Sequence, residues 1–150
     1  MALLGLPRGT ITGMGPGVEI RAEALLLLRE EARTALPQEC CGFLAGSGGV
    51  ITVILPACNF LASPTSFEIA PQELFRLIRE IRAQKLEHLG IYHSHPAGGN
   101  FPSPRDIQRA FYPQLAYFIL SPLTDAANPV RAFSIRESRV TELTIETVPG

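Results

Sequence analysis

Apolar positions along this chain fall into two kinds of pattern. Leu25, Leu28, Ala32 and Ala35 recur at helical spacing and predict a helix from about Ala22 to Leu36, closed by Pro37. Leu74, Leu77, Ile78 and Ile81 repeat that spacing after Pro71, which suits the first position of a second helix running to about Gln84. Short apolar runs bounded by Gly, Pro, Asn and Ser read as strands. They are Val18 to Ile20, Cys41 to Ala45, Val50 to Leu55, Ser66 to Ile69, Leu89 to His95, Leu115 to Leu120, Val130 to Ile135 and Val140 to Val148. The turn Gly46-Ser47-Gly48-Gly49 joins the second and third into a hairpin, and a short helix follows Ser103. Residues 1–17, rich in Gly and Pro, read as a loose arm or one edge strand, and residues 18–150 as a single domain. The expected fold class is mixed α/β: a central, mostly antiparallel sheet with about three helices.

Composition narrows the function. With 150 residues, 46% hydrophobic and 18% charged, the chain has ordinary globular content and is long enough to bury a core. A net charge of −1 leaves no basic field, so neither nucleic acid nor an anionic membrane is an expected partner. The longest aliphatic run, Leu25 to Leu28, is far too short to span a membrane. The N-terminus lacks the basic start and long apolar run of a signal peptide. Cys40, Cys41 and Cys58 are an odd set without that signal, which reads as reduced thiols in a cytoplasm.

The chemistry concentrates between Gly90 and Asp106. His93 and His95 are two apart, so on a strand they point to one face, about 7 Å apart along the chain. Two imidazoles so placed can share one zinc. Pro96, Gly98 and Gly99 let the chain fold back, and Asp106 can then supply an oxygen ligand from the first turn of a helix. Two His and one carboxylate leave a fourth position for water, as catalytic zinc sites do. A plainer reading stands beside this one. Ser103-Pro104-Arg105-Asp106 is also a good helix capping box, which accounts for both Ser103 and Asp106 without a metal. The two readings are compatible. Glu39, an acid leading into an apolar strand, is the other odd residue: it must be exposed, paired or functional.

Taken together, His93-Ser94-His95, seven residues, Ser103, two residues and Asp106 resemble the JAMM (MPN-plus) metalloprotease motif. Glu39-Cys40-Cys41-Gly42-Phe43-Leu44-Ala45-Gly46 resembles that family's upstream strand, and Asn59 with Phe67-Glu68-Ile69-Ala70-Pro71 resembles its free-standing bacterial branch. The likeness runs from about Val18 to Ile135. It implies a curved mixed sheet flanked by helices, similar in outline to cytidine deaminases. It implies that His93, His95 and Asp106 bind one Zn²⁺. Glu39 would stay off the metal, hold the attacking water, and act as general base and then as acid toward the leaving amine. Ser103 would hydrogen-bond the oxyanion. The implied partner is a ubiquitin-like protein with an extended C-terminal tail, most simply a sulfur-carrier protein relieved of a C-terminal amino acid or adduct. Such a tail could dock as an added strand on an open sheet edge. Isopeptide deconjugation is the close variant. Two other classes are a cysteine hydrolase using Cys40 or Cys41 with His93 or His95, and a non-catalytic MPN scaffold.

Overall fold

The computed structural model describes residues 16–150. Its order is β1 (Gly17–Arg21), α1 (Ala22–Thr34), β2 (Cys41–Ser47), β3 (Val50–Ala57), α2 (Pro71–Ala83), β4 (Glu87–Ser94), α3 (Pro104–Gln108), β5 (Ala116–Leu120), β6 (Val130–Arg136) and β7 (Arg139–Val148). The expectation of an arm or edge strand over residues 1–17 lies almost wholly outside the described residues. Gly17 itself opens β1.

The seven strands form one closed sheet in the order β1-β3-β2-β4-β5-β6-β7. The β2–β3, β2–β4, β5–β6 and β6–β7 pairs are antiparallel. The β4–β5 pair is parallel, and β1 runs parallel to both β3 and β7, which closes the ring. This closure removes most of the open edge on which an added strand could dock. Among the described residues, single-sided stretches remain where the strands overhang one another: β3 beyond Ile51 pairs with β2 alone, the start of β4 with β2 alone, the end of β6 with β7 alone, and each half of β7 with one neighbour.

Each face of the sheet packs on helix. Ala24, Leu28 and Ala32 of α1 meet Ile20, Leu44, Tyr92, Phe118 and Leu120 in the main core. Leu77 and Ile81 of α2 pack on Phe43, Ala45 and Leu55 on the opposite face. Ile107 of α3 and Ala110 cover Tyr117, Ile119, Phe133 and Ile135. All five residues of β5 are buried, which explains its unbroken apolar run: both its faces are covered. Each such aliphatic side chain contributes about 1.5–3 kcal/mol. At Gly42 a Cβ would sit 2.4 Å from the Leu55 carbonyl oxygen and 2.6 Å from the Tyr92 ring, so only glycine fits there.

One expected strand is absent. Residues 66–69 form no ladder. Their backbone partners are a side chain and a loop: the Ser66 carbonyl accepts from Asn59 Nδ2, the Glu68 N–H donates to Asn59 Oδ1, and the Glu68 carbonyl accepts from the Phe60 N–H. Sequence alternation alone does not distinguish a ladder from such a clamp. Among the described residues no helix is long and apolar enough to cross a membrane.

Candidate active site

Four stretches of chain converge at one end of the sheet. β4 presents His93. His95 lies one residue past the end of β4, yet its N–H still bonds to the Leu120 carbonyl at 2.9 Å, so the strand direction is kept and both rings face the same way. The loop that follows is pinned twice. Asn100 is buried and donates from Nδ2 to the carbonyls of Ile119 (3.2 Å) and Asn128 (2.7 Å). Phe101 packs edge-on against Phe133, with the Arg131 guanidinium over its ring and paired to Glu142 at 2.8 Å. Gly98 supplies the left-handed turn at φ +91° that most residues resist.

α3 then starts with the capping box that the sequence predicts. The Asp106 N–H donates to Ser103 Oγ at 3.1 Å, and the Ser103 N–H donates to Asp106 Oδ2 at 2.9 Å. Pro104 occupies the first helical position. The cap turns the Asp106 carboxylate back toward the histidines, so capping and convergence are one arrangement.

The resulting triangle is tight. His93 Nε2 lies 3.2 Å from His95 Nε2 and 3.2 Å from Asp106 Oδ1, and His95 Nε2 lies 3.1 Å from Asp106 Oδ2. The edge of a tetrahedron with bonds of about 2.0–2.1 Å is about 3.3 Å, so these spacings suit a zinc-sized ion. The donor chemistry agrees. His95 Nδ1 is 2.9 Å from the Gly99 carbonyl, which can only accept, so Nδ1 carries a proton. In neutral His95 that leaves Nε2 as a lone pair facing a carboxylate and a second imidazole. A cluster of acceptors needs a cation or a proton at its centre. Burial pushes His95 toward its neutral form, but the Asp106 carboxylate and the Gly99 carbonyl outweigh this and raise its pKa. Burial likewise works to raise Asp106, and hydrogen bonds to His93 and His95 overcome it and hold that carboxyl well below the usual range. These three residues are positioned to hold a metal ion.

Glu39 arrives from the other side, two residues before β2. It is 5% exposed and makes no salt bridge among the described residues. Burial drives its pKa up to about 7, with the Asp106 charge adding to the rise and the charges of His95 and Arg105 opposing it. Its backbone is fixed through Cys40, whose N–H donates to Ser94 Oγ at 2.8 Å while the Cys40 carbonyl accepts from the Ser94 N–H. Ser94 and Tyr92 point away from the triangle into the core, as strand alternation requires.

The site opens into a cavity of about 370 Å³ that also reaches Glu39 and Ser103. Its floor is the outer face of the sheet at Ile91, Ile119 and Ile135, and Phe67, Phe111 and Tyr112 line its sides. Phe67 stacks on the His93 ring, centroids 4.7 Å apart and planes at 22°. Local sequence pattern assigns no role to Asn59, Phe67 or Ser94, which the structure places around the site. The signal for Ser94 is a polar residue inside an apolar strand; Asn59 lies beyond the end of β3, where alternation says nothing.

Cys40 and Cys41 are buried, and burial pushes both thiols up to about 12, so neither is a ready nucleophile.

A closed mixed sheet carrying a His-His-Asp triangle beside a buried glutamate defines a hydrolase of the JAMM peptidase type. The chain belongs to the Prok-JAB family, the prokaryotic homologs of the JAB domain, which matches it over residues 21–136. Among its relatives, a desampylase of Haloferax volcanii is 34% identical over 116 residues, covering 75% of this chain and 84% of that protein. A CysO-cysteine peptidase of Mycobacterium tuberculosis is 30% identical over 131 residues, covering 86% of this chain and 90% of that protein. The solution structure of a Desulfitobacterium hafniense protein superposes with a TM-score of 0.77 at 32% identity, covering 89% of this chain and 94% of that one.

Proposed function

We propose that this protein is a zinc peptidase that cleaves an amide bond at the C-terminal tail of a small ubiquitin-like or sulfur-carrier protein. The observation that carries the reading is the convergence of His93, His95 and Asp106 within hydrogen-bond distance of one another, beside the buried Glu39. His93, His95 and Asp106 would hold Zn²⁺. When bound, zinc polarises a carbonyl and brings the pKa of a water down toward about 7. Glu39 takes the proton of the attacking water and delivers it to the departing nitrogen. Already in the metal-free fold, burial holds this carboxyl near neutrality, at about 7, as a group that both takes and returns a proton requires. Ser103 donates its hydroxyl hydrogen to the oxygen on which charge develops. Its Oγ already accepts the Asp106 N–H, so that hydrogen is free to point outward. An extended tail fits the cavity between the 64–69 wall and α3 better than the closed sheet's edge.

The names of two relatives, a desampylase and a CysO-cysteine peptidase, support this substrate class. We favour removal of a C-terminal amino acid or adduct from a sulfur-carrier protein, with isopeptide deconjugation as the second reading that the desampylase supports. The free cysteines accord with a reducing cytoplasm. The test pairs elemental analysis of dialysed protein with cleavage of two fusions, one carrying a C-terminal amino acid and one an isopeptide-linked lysine. Near one zinc per chain and chelator-sensitive release from the first fusion is the expected result. Release that survives chelation but is lost on thiol alkylation would overturn the zinc reading.

A further inference from the structure

One buried side chain beside the site has all of its polar atoms engaged, and the reaction outlined above does not use it. Asn59 follows β3 and is 8% exposed. Its Nδ2 donates to the carbonyls of Ser66 at 3.0 Å and Glu39 at 3.1 Å, with the Ser63 carbonyl at 3.4 Å. Its Oδ1 accepts from the N–H groups of Leu61 at 3.1 Å and Glu68 at 3.3 Å. An amide has two N–H donors and two acceptor lone pairs, so the full capacity of Asn59 is spent here.

These bonds join separate pieces of the pocket. Nδ2 grips both the backbone of the residue that carries the buried carboxyl and the Ser63 and Ser66 carbonyls. Oδ1 holds Leu61 and Glu68, and the Glu39 N–H returns to the 63–68 wall by donating to the Ser63 carbonyl at 2.9 Å. Phe67, in the middle of the wall, lies against His93. The carboxyl and the ring packed on a metal-binding histidine are therefore placed by one amide.

The geometry points to Asn59 as a positioning residue for the reaction: it fixes Glu39 relative to His93, His95 and Asp106, and it holds Phe67 on the His93 ring. This rests on the reading of Glu39 as the proton carrier. Asn59 touches neither metal nor substrate. It acts through two residues that do the work, so its loss should lower turnover and leave the metal in place.

The test is a double-mutant cycle with a spectroscopic readout. Asn59→Ala should keep near one zinc per chain, lower kcat by about 10–100-fold, as loss of a supporting hydrogen-bond partner commonly does, and leave KM within a few-fold. In a Glu39→Gln background the same substitution should cost less than about threefold, because the group it positions is already disabled. In the metal-free chain, the ring-proton resonances of His93, displaced by the stacked Phe67, should return toward ordinary values. Loss of zinc in Asn59→Ala, losses that multiply across the cycle, or unchanged kcat would overturn the proposal. Full activity in Glu39→Gln alone would instead overturn the reading of Glu39, a distinguishable outcome. Should Asn59→Ala not fold, Asn59→Asp keeps the acceptors for Leu61 and Glu68 and loses the donors. It should lower kcat at least as much. If neither variant folds, Asn59 serves the fold alone and the proposal is lost.

Discussion

The two sides of the pocket are built on different principles. The metal side, His93 to Asp106, is one short stretch of chain whose geometry is set locally, by a strand end, a glycine turn and a capping box. The other side, the base side of the proposed reaction, draws Glu39, Asn59 and residues 63–68 from three places, and hydrogen bonds from a side-chain amide hold them together. Charges concentrate on the first side. On the second, burial of one carboxyl raises its pKa to about 7. The lesson is that binding a cation and moving a proton make opposite demands. One needs acceptors packed against each other, and the other needs a single acid kept short of water.

Substitutions should separate the two sides cleanly. The largest effect is expected from Asp106→Ala or His95→Ala: zinc per chain falls toward zero by elemental analysis and turnover vanishes with it. Full occupancy with normal turnover in either variant would erase the distinction. Glu39→Gln should keep zinc and still lose about 10²–10⁴ in kcat, the usual worth of a positioned base. Ser103→Ala should lose about 10²–10³ in kcat with zinc retained, plus about 1 kcal/mol of stability from the lost cap. A smaller effect should appear in Phe67→Ala, where KM rises several-fold as the cavity wall opens while zinc content stays near one.

The smallest effect concerns stability. The Glu39 carboxyl titrates near 4.5 in the unfolded chain and near 7 in the metal-free fold. Between those values the unfolded chain ionises while the folded chain stays protonated. Ionisation therefore pulls toward unfolding, and stability drains away as pH rises from about 4.5 to 7, with the full cost present above. Glu39→Gln removes that cost. Melting of the metal-free variant at pH 8 should exceed that of the parent by a few degrees, and the gap should shrink toward pH 5. An equal gap at both pH values would remove burial as the cause.

Legibility in the sequence follows the same division. The metal side was readable because its chemistry and its folding signals coincide within a few residues: His93 and His95 share a strand face, and Ser103 and Asp106 form a cap that any helix start would favour. Both α1 and α2 followed from their apolar spacing, and the hairpin from its glycines. The base side was not readable from the residues alone. Nothing local says that Asn59 bonds back to Glu39, twenty positions upstream, or that residues 66–69 face a side-chain amide in place of a neighbouring strand. Sheet closure was equally hidden, since the alternation of β1 specifies a buried face and is silent about which strands flank it.

That closure bears on how the chain reaches its shape. β1 is held between β3 and β7, and Gly17 pairs with Thr144 across almost the whole described length. Contacts so remote in sequence carry a large loop-closure cost before they return anything, which slows folding. β1 precedes both of its neighbours in the chain, so during synthesis it can meet β3 first and keeps one bare flank until β7 is made. The ring of strands can therefore close only once β7 is in place, however early the other six have paired.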